Sequence, residues 1–518
     1  MLEYLINSVI SDCEKTLPKK EIKAIISSIK KILPNYEYTY TTSEISIDEF
    51  LKITSGLEEK NKERKKMGMY YTPKDLCSFM TLKMVGENKN NLLNKNILEP
   101  TCGNSEFLLS YFNCTCSNNH LIEDDKIIDL VKNIHGNDIN CTALIISKIR
   151  FLFNVFDKLR NKSKITIVPE ILNENFYNID AVNDLETIDK KFDYIIGNPP
   201  YVETNSYPNP VNEKFGNIYA NILKNSISLL KEDGVLTFVI PISYTSTPRM
   251  KKIREHIISN TKEQILYNFS DRPDSLFPSV HQKSTVLIVK NGIEKEHKIF
   301  SSGYKYWYKA ERETMFKNIQ TILVEDFKDF IPKLENKIEK DIFYKILRKK
   351  DENSLYDFLK KKNEEIDSKK DEIHLNMRAA FWIKCFMSST KSGEYNTYNL
   401  SKKKYYIYCL LNSTLFFFYW TVISDCWHIT SKEFKNFKLI LPNDYSLFKN
   451  LAIKLDNKLE ATKKYIGSKQ VEYEYKHKEC KDVIDEIDNF IGEIYSLTSE
   501  EISYIKNYNE KYRLSIGE

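Results

Sequence analysis

The sequence predicts an α/β protein: a domain on a mostly parallel sheet, then a second, mixed α+β domain, with helical segments at both ends. Three observations carry this. Between residues 60 and 300, short β-rich runs alternate with helical patterns. Beyond residue 300 the alternation gives way to longer irregular stretches with interleaved aromatics. With 518 residues the chain exceeds one ordinary core, so two or three domains are expected.

In chain order, residues 1–60 read as a helical segment, with Ile22, Ile26, Ile29 and Leu33 at helical spacing. The charged run EEKNKERKK (Glu58 to Lys66) separates it from a domain over 61–300. The candidate strands there are NILEP, NIHGND, KITIV, FDYIIG, GVLTFVI and STVLIV. A second domain spans 301–480, and its charge-dense stretch KKKNEEIDSKKDE reads as a solvated helix or linker. In the tail, 481–518, Ile484, Ile487, Phe490 or Ile491, and Ile494 share a helical face, and Thr498 to Glu501 fits a capping box opening a last helix.

The net charge of +5 and pI near 8.4 permit nucleic acid as a partner without demanding it. Ten scattered cysteines, with only Cys114 and Cys116 close together, lack zinc-site or disulfide spacing, so reduced thiols, no metal and a cytoplasmic setting are expected. MLEYLINSVISDCEK has no basic region before a long apolar run, and LLNSTLFFFYWTVI is too short and too interrupted to span a membrane.

Several strand ends carry groups suited to chemistry. In ILEPTCGNSEFLL the strand stops at Glu99-Pro100, and a turn with a single glycine, Gly103, leads into a helix. Nucleotide-like cofactors lie at such carboxyl ends in open α/β sheets, although an ordinary strand-to-helix turn reads the same way. Asp138, at the tip of the next strand, suits a ribose or caps a helix. Asn175 suits an adenine edge or is a loop asparagine. FDYIIGNPPYV ends in Asn198, Pro199, Pro200 and Tyr201. An exocyclic aromatic amine is a weak nucleophile because its lone pair is delocalised into the ring. If Asn198 Oδ1 and the Pro199 carbonyl accept both amino protons, that lone pair is released for attack. The prolines stiffen the loop, and Tyr201 offers a stacking face.

The ordered set GMYYTPKDL, ILEPTCGNSEFLL, GNDIN, FDYIIGNPPY and SLFPSVHQKSTVLIV resembles the gamma class of S-adenosylmethionine-dependent DNA adenine-N6 methyltransferases, TaqI-like enzymes whose Rossmann-like methyltransferase domain precedes a DNA target-recognition domain. The resemblance covers roughly residues 60–300. It continues more loosely through YYIYCLLNSTLFFFYW, WHITSKEFKNFKLILP and the tail. It implies catalysis by Asn198, Pro199, Pro200 and Tyr201, with the target base between Tyr201 and Phe277. The cofactor contacts it implies are Tyr71, Thr72, Pro73, Glu99, Pro100, Thr101, Cys102, Gly103, Asp138, Ile139, Asn175, Phe176 and Asn198. Ser105 replaces a glycine common in the cofactor loop, Asn175 replaces an aspartate, and Asn113 to Asp125 reads as an insertion.

The expected function is therefore methyl transfer from S-adenosylmethionine to an adenine rotated out of double-stranded DNA. The enzyme is expected to be a cytoplasmic monomer, nucleoid-associated when bound to DNA, in a restriction-modification or orphan system whose endonuclease is separately encoded or absent. Competing readings are a protein-glutamine or RNA N-methyltransferase, and an inactive DNA-recognition subunit. Trp427, His428, Lys432 and Lys435 are candidate DNA contacts.

Overall fold

The computed structural model describes residues 1–55, 72–86, 89–118, 123–278, 280–347, 353–359, 371–388, 393–467 and 473–515. The charged run at Glu58 to Lys66 and most of KKKNEEIDSKKDE lie outside them. Two compact units result: Met1–Tyr244, Arg249–Leu266 and Ser275–Phe300 form the first, and Thr245–Pro248, Tyr267–Asp274 and Ser301–Glu518 the second.

The first unit opens with α1 (Leu2–Cys13), α2 (Lys19–Ile32) and α3 (Ile47–Ser55). In α2 the buried stripe is Ile22, Ile25, Ile29 and Ile32, with Ile26 and Leu33 at its half-buried margin. These helices join the core of the same unit. The Phe50 ring meets Phe153 edge-on at 4.9 Å, and Arg150 donates to the Leu51 carbonyl.

After α4 (Lys74–Val85) come β1 (Ile97–Glu99), α5 (Glu106–Asn118), α6 (Asp124–Lys132), β2 (Ile134–Asn137), α7 (Cys141–Lys158), α8 (Val168–Asn175), β3 (Phe176–Tyr177), β4 (Phe192–Gly197), α9 (Ile218–Ser228), β5 (Leu230–Pro241), α10 (Lys251–Asn260), β6 (Thr261–Phe269), β7 (Ser284–Asn291) and β8 (Lys298–Lys305). The strands run in the order β3-β2-β1-β4-β5-β7-β6. The first five are mutually parallel, whereas β7 is antiparallel to β5, with Phe238 opposite Leu287. β1 and β2 are buried throughout, so neither alternates between buried and exposed residues. Chain order reverses between β1 and β4, so their carboxyl ends flank a topological switch point, where open α/β sheets bind ligands.

One expected strand is corrected. KITIV is a 3₁₀ turn, Lys162–Ile167, running into α8. The Asn161 side chain accepts from Ser163 N at 3.1 Å and opens the turn, and Pro169 sits in the first turn of α8, where its missing N–H costs nothing. Its β-branched residues still serve the core, since Ile165 and Val168 are buried.

The second unit is mixed α+β. It contains β9 (Ile322–Val324) and a three-stranded antiparallel sheet, β11-β10-β12, from Glu372–Asn376 (β10), Cys385–Phe386 (β11) and Tyr395–Asn399 (β12). Four of its helices matter below: α11 (Thr414–Ile423), α12 (Lys481–Ile494), α13 (Ser499–Lys506) and α14 (Glu510–Leu514). Every residue of α11 is buried, and Thr498 and Glu501 form the expected capping box on α13. No single helix among the described residues is long and apolar enough to cross a membrane.

Candidate active site

Asn137, the last residue of β2, braces the loop after β1. Its Nδ2 donates to the Pro100 and Ile179 carbonyls at 2.9 and 3.1 Å, its Oδ1 accepts from Ile179 N, and its carbonyl accepts from Cys102 N at 2.7 Å. Glu99 is buried and accepts from Leu108 N at 3.3 Å, in the first turn of α5. Burial pushes its carboxyl well above the usual range. Gly103 is left-handed at φ +48°, and its N–H donates to Asp138 Oδ2 at 2.8 Å. A Cβ built on Gly103 would meet nothing within 4 Å, so one side of the loop is open.

Asp138 is buried, and its Oδ1 accepts from Asn140 N at 2.8 Å. The cap of α7 comes from Asn140, whose side chain accepts from Thr142 N and Ala143 N. Asp138 is thus an acid aimed at the loop, not the helix cap. Ile139 beside it is 51% exposed, Cys102 is buried, and Thr101 Oγ1 is buried with no hydrogen-bond partner. Ser105 adopts φ +60°, the left-handed conformation that suits the glycine it replaces, and its hydroxyl contacts Ser147 on α7. A hydrogen bond to a neighbouring helix offsets the strain that glycine would avoid.

At the carboxyl end of β4, Asn198 is half-buried and Pro199 buried. Asn198 Nδ2 donates to Thr72 Oγ1 at 3.3 Å, which brings the start of α4 to the loop after β4. The Tyr201 hydroxyl lies 2.7 Å from Asn198 Oδ1 and 2.9 Å from the Val239 carbonyl, with its ring edge-on to Tyr219 at 6.3 Å. Pro73 caps α4, and its carbonyl accepts from Cys77 N. Tyr71 lies outside the described residues.

Three expectations are corrected. Asn175 Nδ2 donates to the carbonyls of Val131, Lys132 and Ile134, at the amino end of β2 and away from the loop after β1, because α8 delivers it there. Phe176 is buried under β2, where a Cβ on Gly136 would meet its ring at 2.7 Å, and it also packs on Phe151. Phe277 is 1% exposed, so its ring is not available to a base in this state. Its carbonyl accepts from Ser275 Oγ and Val280 N.

Asp180 escaped the sequence reading. Its Oδ1 accepts from the Tyr207 hydroxyl and Val182 N, both at 2.9 Å, and its Oδ2 from Asn183 and Asn209 Nδ2 at 3.1 and 2.9 Å. It therefore holds the loop that follows Tyr201, which closes through Ile218 N donating to the Val202 carbonyl. An acid just past β3 was a visible signal, but two of its four donors, Tyr207 and Asn209, come from a stretch of chain remote in sequence.

The Eco57I restriction-modification methylase family matches residues 132–276. The chain is 28% identical over 255 residues to modification methylase CviBIII of Paramecium bursaria Chlorella virus NC1A, covering 48% of this chain and 56% of that protein. It is 24% identical over 250 residues to type II methyltransferase M.BsuBI of Bacillus subtilis, covering 45% and 46%. The chain thus spans about half the length of the curated relatives it matches. Among solved structures, the type IIL restriction-modification enzyme MmeI in complex with DNA superposes with a TM-score of 0.52 at 12% identity, covering 92% of this chain and 85% of that one. That likeness is one of fold alone.

Proposed function

We propose that the chain is a site-specific DNA adenine-N6 methyltransferase of the gamma class, acting on a flipped adenine in double-stranded DNA, with S-adenosylmethionine as methyl donor. The observation that carries this is Asn198-Pro199-Pro200-Tyr201 at the carboxyl end of β4, tied to Thr72 and adjoining the switch point that the Gly103–Asp138 loop lines. The matches to a restriction-modification methylase family and to type II methyltransferases support a methyltransferase of restriction-modification type.

The loop residues fit a nucleoside cofactor. Gly103 leaves an open side where any larger residue would project a Cβ, Thr101 Oγ1 is an unpaired buried oxygen, and Ile139 is an exposed apolar face next to the Asp138 acid. Gly103, Asp138 and Ile139 would hold the ribose and base, and Thr72 with Pro73 the methionine end. When bound, S-adenosylmethionine supplies an electrophilic methyl group on a sulfonium.

The chain's own residues prepare the acceptor. The Tyr201 hydroxyl gives up Asn198 Oδ1, which then accepts one amino proton while the Pro199 carbonyl accepts the other. Held by these two acceptors, the amino nitrogen would have its lone pair localised for attack on the methyl group that S-adenosylmethionine would supply, and its surplus proton would pass to solvent. The Tyr201 ring turns to the base as a stacking face. DNA is the partner, with any cognate endonuclease encoded on another chain.

Tritiated methyl transfer to plasmid DNA, followed by digestion to nucleosides, tests the reading. Label in N6-methyladenine supports it. Label in methylcytosine, or only in RNA or a protein glutamine, overturns it.

A further inference from the structure

In the second unit the turn after α11 is densely hydrogen-bonded. Asp425 Oδ1 accepts from Trp427 N and His428 N at 2.9 and 2.8 Å, and His428 Nδ1 donates to Asp425 Oδ2 at 2.8 Å. Cys426 is left-handed at φ +55°, its N–H donating to Ser424 Oγ, and Trp420 Nε1 donates to the His428 carbonyl at 2.9 Å. The turn leads into a short ribbon. Ala379 N donates to the Trp427 carbonyl at 3.1 Å and Ile429 N to the Met377 carbonyl at 2.9 Å, with Arg378 opposite His428 in antiparallel register.

Because those two bonds flank the Arg378–His428 pair, it is a non-hydrogen-bonded pair, whose side chains leave the same face close together. Both are exposed, at 48% and 52% of the side chain. Each is also backed by a carboxylate, since Arg378 Nη1 lies 3.1 Å from Glu394 Oε1. Exposed ion pairs contribute little to stability, so folding does not account for two of them aiming neighbouring side chains outward. Lys432, by contrast, is a strut: its Nζ donates to the Ser246 and Ile423 carbonyls.

We propose that the ribbon Met377–Ala379 with Trp427–Ile429 is a base-reading edge for double-stranded DNA, in which Arg378 and His428 determine sequence specificity. The inference rests on the functional reading above. A major groove admits a two-stranded ribbon, and a guanidinium donates to guanine O6 and N7 as a fork. With Nδ1 held by Asp425, His428 presents Nε2 to the edge of an adjacent base. The two carboxylates fix both side chains beforehand, which lowers the ordering cost of binding.

The test uses the full chain. The sequence methylated by the wild type is mapped by single-molecule sequencing of plasmid DNA, and Arg378→Gln, Arg378→Lys and His428→Gln are compared on matched and singly mismatched duplexes. Each variant is expected to lose about 10-fold or more of the discrimination at one base pair, with an unchanged salt slope and unchanged thermal unfolding. Arg378→Lys keeps the charge but not the fork, so it separates base reading from charge if Arg378→Gln folds poorly. Unaltered discrimination in folded variants overturns the inference alone. So does uniform weakening on all duplexes with a shallower salt slope, the mark of a phosphate contact. A wild type that leaves all DNA unmethylated overturns the functional reading and this inference with it.

Discussion

Asn198 is engaged at both ends of its amide, and the mechanism proposed for it rests on that. Its nitrogen is held by Thr72 and its oxygen faces the Tyr201 hydroxyl, so the acceptor that an incoming amine needs already lies in a hydrogen-bonded position. Asn198→Ala is expected to lower methyl transfer by on the order of 10²–10³ while leaving S-adenosylmethionine binding, measured by calorimetry, nearly intact. Turnover near that of the wild type in a folded variant would remove Asn198 from the mechanism. At this scale the sequence was informative about where Asn198 to Tyr201 lie, directly after a bounded apolar strand. It failed at Asn175 and Phe176, because the loop-facing reading assumed that KITIV was the third strand. Once that stretch is helix, Asn175 arrives at the opposite end of β2.

Elements differ in how plainly they announce themselves. β1, β4, β7 and the Gly234–Ile240 part of β5 are bounded apolar runs and were legible, β2 was read from NIHGND, and β6, which begins Thr-Lys-Glu-Gln, carried no such pattern. Short α14 is the hardest case: five residues have little helical stability of their own, so tertiary contacts must hold it. They converge on Arg513. Its guanidinium lies 3.9 Å from the Trp382 ring centre and 4.4 Å from that of Phe417, and its Nε donates to the Phe381 carbonyl at 3.0 Å. Burial pulls its pKa down to about 10, so it remains charged at neutral pH. Arg513→Ala should destabilise the second unit by on the order of 3 kcal/mol, through the lost cation–π contacts and the cavity left behind. Urea unfolding followed by tryptophan fluorescence would register it, and a change below about 0.5 kcal/mol, the scale of surface substitutions, would show that α14 is dispensable.

For the molecule as a whole, acid is a shared weakness of both units. His135 and His477 are each held down to about 3, mainly by burial, with Lys190 and Lys384 adding to it. Above the unfolded value of about 6.5 neither state binds a proton there, so nothing is gained or lost. Between about 6.5 and 3 the unfolded chain takes up protons that the folded chain refuses, and stability falls as pH falls. His477 Nε2 has no hydrogen-bond partner, and its ring stacks with Trp382. His477→Phe should therefore flatten the acid limb of a plot of melting temperature against pH, and an unchanged slope would refute this account.

The chain enters the second unit three times, at Thr245–Pro248, Tyr267–Asp274 and Ser301. The early visits are secured by late residues: Ile331 N donates to the Thr245 carbonyl, Ser270 N to that of Lys305, and Asn268 Nδ2 to that of Ser302. A fragment ending at residue 300 is expected to aggregate as well as lose sequence discrimination, and a soluble fragment with a single sharp melting transition would contradict this. If the proposed function holds, the same threading governs how a new target could be acquired. Grafting a relative's sequence from residue 301 onward would join a foreign partner to two native segments it never evolved beside. A working chimera has to exchange all three stretches together, so a new specificity should arise more readily by point changes on an existing surface than by trading a terminal cassette.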